Sequence, residues 1–473
     1  MLSTVFSVQS LLAGMGILLA GSGLLATLLG LRAAEEGFSD LTIGLIMSAF
    51  YVGYVLGTIT VPAIIRRVGH IRTFAALAAI SSVTAIMHGL WVDPWIWMGL
   101  RLINGVTLLG LYMVIESWVS EKATSHRGQV FGIYMMVSLL AYGAGQFLIG
   151  LYGPMDVSTF AIVGLLFSLG LVPVALTRVS QPPPMETTRL PLMQLFRLAP
   201  TGVIGSAVSG TITGTIYGMA AVYANRVGLP DTQVAAFVAA IIVGGGLLQW
   251  PIGRLSDGRD RRYVLIVVSA LGAAFSVLLA MQDWFPGWGL FALALVFGGF
   301  SFSLYAISVA QTNDRLSSDQ VLEGTRGLLM VNGAGSAVGP MVSGAAMGWF
   351  GAAGFPLFVL AALLAMIALI FWRILIDEPV PDDERGDYVF THRTSAAGIE
   401  LDPRAAEELR TAEAARSEHV SDAEPPIYET DPAWEGYQGP PGAIDTSHDS
   451  PGDSSGDVSF SPGGDSPRRR DDA

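Results

Sequence analysis

Twelve apolar runs, each long enough to cross a bilayer, leave this chain very few folds. They fall at about 5–31, 41–65, 73–92, 94–118, 129–152, 157–177, 198–225, 232–255, 263–282, 286–311, 325–350 and 353–375. About 20 apolar residues in a helix match the roughly 30 Å hydrocarbon core of a membrane. Lipid offers no partner to backbone N–H and C=O groups, so a spanning segment must satisfy them within itself, as an α-helix does. The pattern therefore predicts an all-α membrane protein of twelve transmembrane helices. Only 14% of the residues are charged, against roughly 25% in a typical soluble domain. The first run has no positive segment before it and no short core ending in a cleavage-type site, so it reads as a helix and not as a signal peptide.

Charge divides the chain in two. Residues 1–376 carry 18 Arg/Lys and 15 Asp/Glu, a net of +3, whereas residues 377–473 carry 8 and 24, a net of −16. An N-terminus inside the cell puts fifteen basic residues of the body in inner loops and only Arg32 and Arg226 outside. That is the bias of a plasma-membrane protein with both termini in the cytoplasm. The segment 377–473 is rich in Asp, Glu, Pro, Gly and Ser. Such a composition buries too little apolar surface to order itself, so a disordered acidic cytoplasmic tail is expected. The absence of cysteine excludes disulfides and Cys-ligated metal, and the six histidines include no pair at ligand spacing. No cofactor or metal is expected. There is no Walker loop, dinucleotide fingerprint or nucleophile elbow, so the chain does not read as an enzyme, and no nucleic-acid partner is expected.

The body also repeats. At an offset of 191, Gly37 falls on Gly228, Asp40 on Asp231, Gly53 on Gly244, Leu56 on Leu247 and Arg66 on Asp257. Between the halves lies a polar, proline-rich segment. The expected organisation is a six-helix bundle over 1–177, a cytoplasmic linker over 178–197, a second bundle over 198–376 and the tail over 377–473. A parallel repeat of this kind is the build of a two-bundle transporter. The seventh run is rich in glycine (Gly202, Gly205, Gly210, Gly214, Gly218), which lets helices approach closely.

Polar residues inside the runs are the candidates for function. Arg101 lies about seven residues inside the fourth run. An arginine at membrane depth costs about 2.5–3.5 kcal/mol on insertion scales and normally faces a wet interior. A role in coupling or substrate binding therefore stands against a side chain that merely snorkels to the headgroups. Glu116, near the other end of that run, could bind a proton or pair with Lys122 or Arg127. Tyr142, Gln146, Tyr217, Gln249, Tyr305 and Asn332 are further candidates for a substrate path, each against the simpler role of an interhelical hydrogen bond. Trp91, Trp95, Trp97, Trp284 and Trp288 lie near run ends and read as an interfacial belt.

The most ordered motif is Gln249-Trp-Pro-Ile-Gly253-Arg-Leu-Ser-Asp257, followed by Gly-Arg-Asp-Arg261-Arg262. It resembles the inner turn of the major facilitator superfamily at Gly253, Leu255, Ser256, Asp257, Arg261 and Arg262. Gly258 stands where that family has a basic residue, and Asp260 where it has glycine. The first-half turn, Pro62-Ala-Ile-Ile-Arg66-Arg67-Val-Gly69-His70, departs further, with Arg66 in place of the aspartate. Arg101-Leu-Ile-Asn-Gly105 is similar to the family's fourth-helix motif, implicated in proton coupling. With Val114-Ile-Glu-Ser117, Tyr134-Met-Met136 and Ile216-Tyr-Gly218, the body resembles the bacterial YcaD-like branch of that superfamily.

The resemblance implies two six-helix bundles around a central cavity in a bacterial inner membrane, alternating access by rocking, and coupling to H+. The function it points to is secondary active transport of a small solute, by a chain expected to act as a monomer in the lipid bilayer. The alternative is a membrane sensor or scaffold that uses the acidic tail to recruit a partner. The same pattern sets each inner turn against a helix start in the other half. It places Asp257 beside Gly128 and Arg127, and suggests that Arg66 or Arg67 pairs with Glu323 when the protein is open outward.

Overall fold

The computed structural model describes residues 2–122, 127–176, 191–317 and 320–376. Among these the only regular structure is helical. There are thirteen α-helices: α1 Leu2–Glu35, α2 Asp40–Val68, α3 His70–Leu90, α4 Pro94–Lys122, α5 Arg127–Gly145, α6 Val157–Ala175, α7 Leu192–Leu198, α8 Pro200–Arg226, α9 Asp231–Ser256, α10 Arg261–Ala280, α11 Trp288–Asn313, α12 Val321–Phe350 and α13 Gly354–Ile374. A 3-10 turn at Gln146–Leu151 prolongs α5. The acidic tail and most of the linker lie outside the described residues; the linker's end forms α7, whose Leu195 is buried among Val203, Tyr305 and Leu328.

Among the described residues, ten stretches are long and apolar enough to cross a membrane. The last of them, Val321–Ile374, runs through both α12 and α13. The helix α8 is not among the ten. Its glycines, serines and threonines lower its hydropathy, and most of its residues are buried by other helices. A helix wrapped in protein rather than lipid has no need to be apolar.

The repeat is visible in the packing. Helix α2 lies on α4, α3 on α6, and α1 on α5 and α6; seven elements later, α9 lies on α11, α10 on α13, and α8 on α12 and α13. The contacts between the two sets obey the same shift, with α2 on α12 and α9 on α5. The matching turns end α1 and α8 at Gly37 and Gly228, whose φ angles of 78° and 86° favour a residue without Cβ. A methyl group at Gly53 would meet the backbone oxygen of Leu102, and one at Gly105 that of Phe50. In the other set Gly244 and Gly298 stand in the same relation to Leu295 and Ile241. Reciprocal glycines thus bring α2 against α4, and α9 against α11, backbone to backbone.

The two sets are latched at the end that carries Gly37 and Gly228. Arg226, at the end of α8, donates to Asp40, at the start of α2, through Nε at 3.1 Å and Nη2 at 2.9 Å. Near the same end the Met341 N–H, one residue after Pro340, donates to Ser48 Oγ of α2 at 3.1 Å. Proline disturbs a helix ladder, and a side chain from a neighbouring helix can take up the freed group. Gly44 packs directly on the Pro340 backbone.

One expectation about the aromatic belt is corrected. Trp91, Trp95, Trp284 and Trp288 are exposed, but Trp97 is fully buried. It donates from Nε1 to the Trp91 carbonyl at 2.7 Å and packs edge-on against Phe38. It sits one turn inside α4, on the face turned to the bundle.

Candidate substrate cavity between the helix sets

Helices α1, α2, α4, α5, α8 and α9 line a partly open cavity of ≈ 100 Å³. Tyr142 from the first set and Tyr217 from the second meet in its wall in an edge-to-face contact, ring centroids 5.3 Å apart. Phe50, Tyr51, Tyr54, Tyr112 and Tyr134 add further aromatic rings to a wall otherwise made mostly of aliphatic side chains. The cavity has one charged lining residue, Arg101.

Arg101 is only 5% exposed. Its guanidinium lies 4.7 Å from the centroid of the Phe50 ring, and Nη2 donates to Met47 Sδ at 3.4 Å. A thioether is a weak acceptor. Nε has no hydrogen-bond partner among the described residues, and no carboxylate pairs with the group. A desolvated cation–π contact contributes about 2 kcal/mol, less than the about 2.5–3.5 kcal/mol that an arginine at membrane depth costs. The side chain therefore faces the cavity with its charge incompletely compensated, and it does not snorkel to the headgroups.

Asn104, one turn further along α4, is completely buried in the same wall, and neither Oδ1 nor Nδ2 has a partner among the described residues. Glu116, on the same helix, is also fully buried. Its Oε1 accepts a hydrogen bond from the hydroxyl of Tyr134, whose ring lines the cavity. The carboxylate thus reaches the cavity at one remove.

The other sequence candidates sit elsewhere. Gln146 Oε1 accepts from Thr27 Oγ1 at 2.8 Å between α1 and the end of α5. Asn332 Nδ2 donates to the Ser206 carbonyl at 3.2 Å, tying α12 to α8. Tyr305 belongs to the small cluster beneath α7, and Gln249 is buried within α9. Asn104 and Tyr134, which sequence reasoning did not single out, carry the usual signature of a helix interior. Nothing local separates them from packing residues.

At the opposite end from the Asp40–Arg226 latch, the second-half turn is bound into its own bundle. Arg261, nearly fully buried, pairs with Asp314 at the end of α11 and with Asp257 at 3.6 Å. Asp260 caps α10, accepting from the Arg262 N–H at 3.0 Å, and also pairs with the Arg262 side chain at 2.7 Å. That explains an aspartate where glycine was expected. Gly253 is buried in α9. In the first half Arg66 and Arg67 are exposed, and neither is ion-paired with the half-buried Glu323 in this conformation. The side chains of Arg127 and Gly128, expected near Asp257, lie outside the described residues.

Comparison with known proteins decides the family. A family model described as the Major Facilitator Superfamily matches residues 11–257 and, overlapping that stretch, 202–398. The chain belongs to the major facilitator superfamily. It is 28% identical over 336 residues to a protein of Escherichia fergusonii described as the uncharacterized MFS-type transporter YcaD, covering 70% of this chain and 87% of that one. A Shigella flexneri protein of the same description is 29% identical over 366 residues, covering 77% and 94%. The crystal structure of the nucleoside transporter NupG superposes with a TM-score of 0.64 at 14% identity, covering 79% of this chain and 98% of that one. A bacterial homolog of the human lysosomal transporter Spinster, inward-facing and occupied, gives 0.60 at 15%, covering 81% and 98%. At such identities the two structures share the fold alone. This major facilitator is a multi-pass membrane protein of a transporter family.

Proposed function

We propose that the protein is a proton-coupled secondary transporter of a small solute, working by alternating access through twelve membrane crossings with both termini in the cytoplasm of a bacterium. The observation that carries this reading is Arg101, a buried guanidinium without a carboxylate partner, in a cavity that both helix sets build. Two crossings beyond the ten apolar stretches come from α8, held in the interior, and from counting α12 and α13 separately. The domain limits follow the repeat: bundles over 1–177 and 198–376, a linker between them, and the tail after 376.

In this reading the Asp40–Arg226 latch closes the outer side and the structure is the state closed outward. Glu116 is the proton site. Taking up a proton there changes how the carboxyl meets Tyr134, and with it one wall of the cavity. The test begins with solute profiles of cells with and without the protein. The identified solute is then followed in vesicles under an imposed pH gradient. Wild type should accumulate it, whereas Glu116→Gln should still exchange it but no longer concentrate it. Concentrative uptake by the Gln variant would remove Glu116 from the coupling. Removing residues 377–473 should leave flux intact; loss of the phenotype with the tail would favour the scaffold reading.

The opposite latch exchanges signs between the halves. Asp257 suits the positive N-terminus of a helix, whereas Arg66 would be repelled by one. Glu323 in the first turn of α12 supplies the missing negative charge, so Arg66 or Arg67 pairs with it in the outward-open state. Exposed pairs contribute at most about 1 kcal/mol, enough to shift a gate several-fold. Glu323→Arg should move accessibility toward the inward-open state, and adding Arg66→Glu should restore the balance. A double variant no closer to wild type than the single one rules the pair out.

A further inference from the structure

We propose that the cavity binds a small monocarboxylate, its carboxylate gripped by Arg101 and Asn104; this rests on reading the cavity as the transport site. Arg101 and Asn104 are three residues apart on α4, so they share one face of the helix. Both line the cavity, both are more than nine-tenths buried, and Arg101 Nε and both polar atoms of Asn104 lack partners among the described residues. Packing does not require them. When Gly105 is matched to Gly298, the glycines that admit α2 and α9 respectively, Arg101 falls on Ala294 and Asn104 on Phe297, both buried. The second bundle makes the same helix contact with apolar side chains.

The chemistry of the pair selects the ligand. A guanidinium offers a planar fork of donors that matches the two oxygens of a carboxylate. The amide Nδ2 adds a donor on the same side. No acid and no second base line the cavity, so one negative charge is matched and a second is not. An ammonium group would find no carboxylate opposite it, which disfavours amino-acid zwitterions. The tyrosine and aliphatic walls suit an apolar body. A 150 Å³ apolar cavity accepts the six carbons of benzene, so ≈ 100 Å³ matches about four non-hydrogen atoms. Propionate, with five, and pyruvate, with six, are the nearest monocarboxylates of that charge with an apolar body, and the cavity is partly open.

The experiment is direct binding to the purified full-length protein in detergent, read by calorimetry and by the melting temperature. The probes are sodium propionate, pyruvate, propionamide, succinate, inorganic phosphate and sodium chloride. Propionate or pyruvate should bind and raise the melting temperature, and propionamide, which has the same shape without the charge, should bind at least 10-fold more weakly. Arg101→Gln should lose at least 30-fold in affinity, and Asn104→Leu several-fold. No binding of either monocarboxylate, equal binding of propionamide, or preference for succinate or phosphate would each overturn the proposal, and none of these needs a variant to fold. If the solute profiles identify a neutral or cationic cargo while the monocarboxylates fail to bind, this assignment falls and the transport reading stands. If no solute changes in cells, transport falls whatever the calorimeter shows.

Discussion

Arg101→Ala is expected to abolish uptake while the protein inserts normally and melts no lower than wild type. The two halves of that result have one cause. Truncating one partner of a buried, hydrogen-bonded charge pair costs about 2–5 kcal/mol, roughly a 30- to 4,000-fold loss of affinity for a solute that the guanidinium holds. In the empty protein, however, the same charge sits in an aromatic wall with Phe50 and a thioether as its contacts. Removing it relieves a cost of about 2.5–3.5 kcal/mol and surrenders a cation–π contact of about 2 kcal/mol. The measurements are initial uptake rate, surface expression and a thermal melt in detergent. Full uptake by the alanine variant would show that the side chain serves packing; a melt many degrees lower would show that it holds the bundle together.

The second large effect concerns Gly244. A methyl group there would overlap the backbone oxygen of Leu295, and no rotamer change can move a backbone atom aside. Overpacking in a tight interior typically costs 1–3 kcal/mol and occasionally more, so for two helices in backbone contact we expect about 3 kcal/mol or more. Gly244→Ala should sharply reduce the folded yield, and Gly53→Ala, its counterpart against Leu102, should do the same. Gly132 and Gly143 have nothing near the position of an added Cβ, and alanine at either should fold as wild type does. Fluorescence-detected size exclusion would separate the two classes. Equal yields across all four variants would mean that the helices part easily and that the reciprocal glycines are not what fixes α9 on α11.

The sequence by itself determined the class of molecule, because lipid is a simple solvent. A run of apolar residues about 30 Å long has one way to satisfy its backbone, and length and hydropathy are visible without a fold. It also showed the repeat, since Gly37 and Gly228 mark turns whose positive φ favours glycine. The close approach of α8 to a neighbour was legible from its glycines, and Gly210 and Gly214 lie on Asn332 and Ser336 of α12; its place in the interior was not.

Tertiary structure alone decided which polar residues share a site. Eight residues with a polar group inside the apolar runs were candidates, and nothing local said which of them meet. Packing turns Arg101, Tyr142 and Tyr217 into one cavity and brings Glu116 to its wall through Tyr134, while Gln146 and Asn332 each make a hydrogen bond between helices outside that cavity. The partner of Arg261 was equally hidden: Asp314 lies 53 residues away at the end of another helix. Helical periodicity tells which residues share a face, but the direction that face takes is set by neighbours whose own positions depend on the whole bundle.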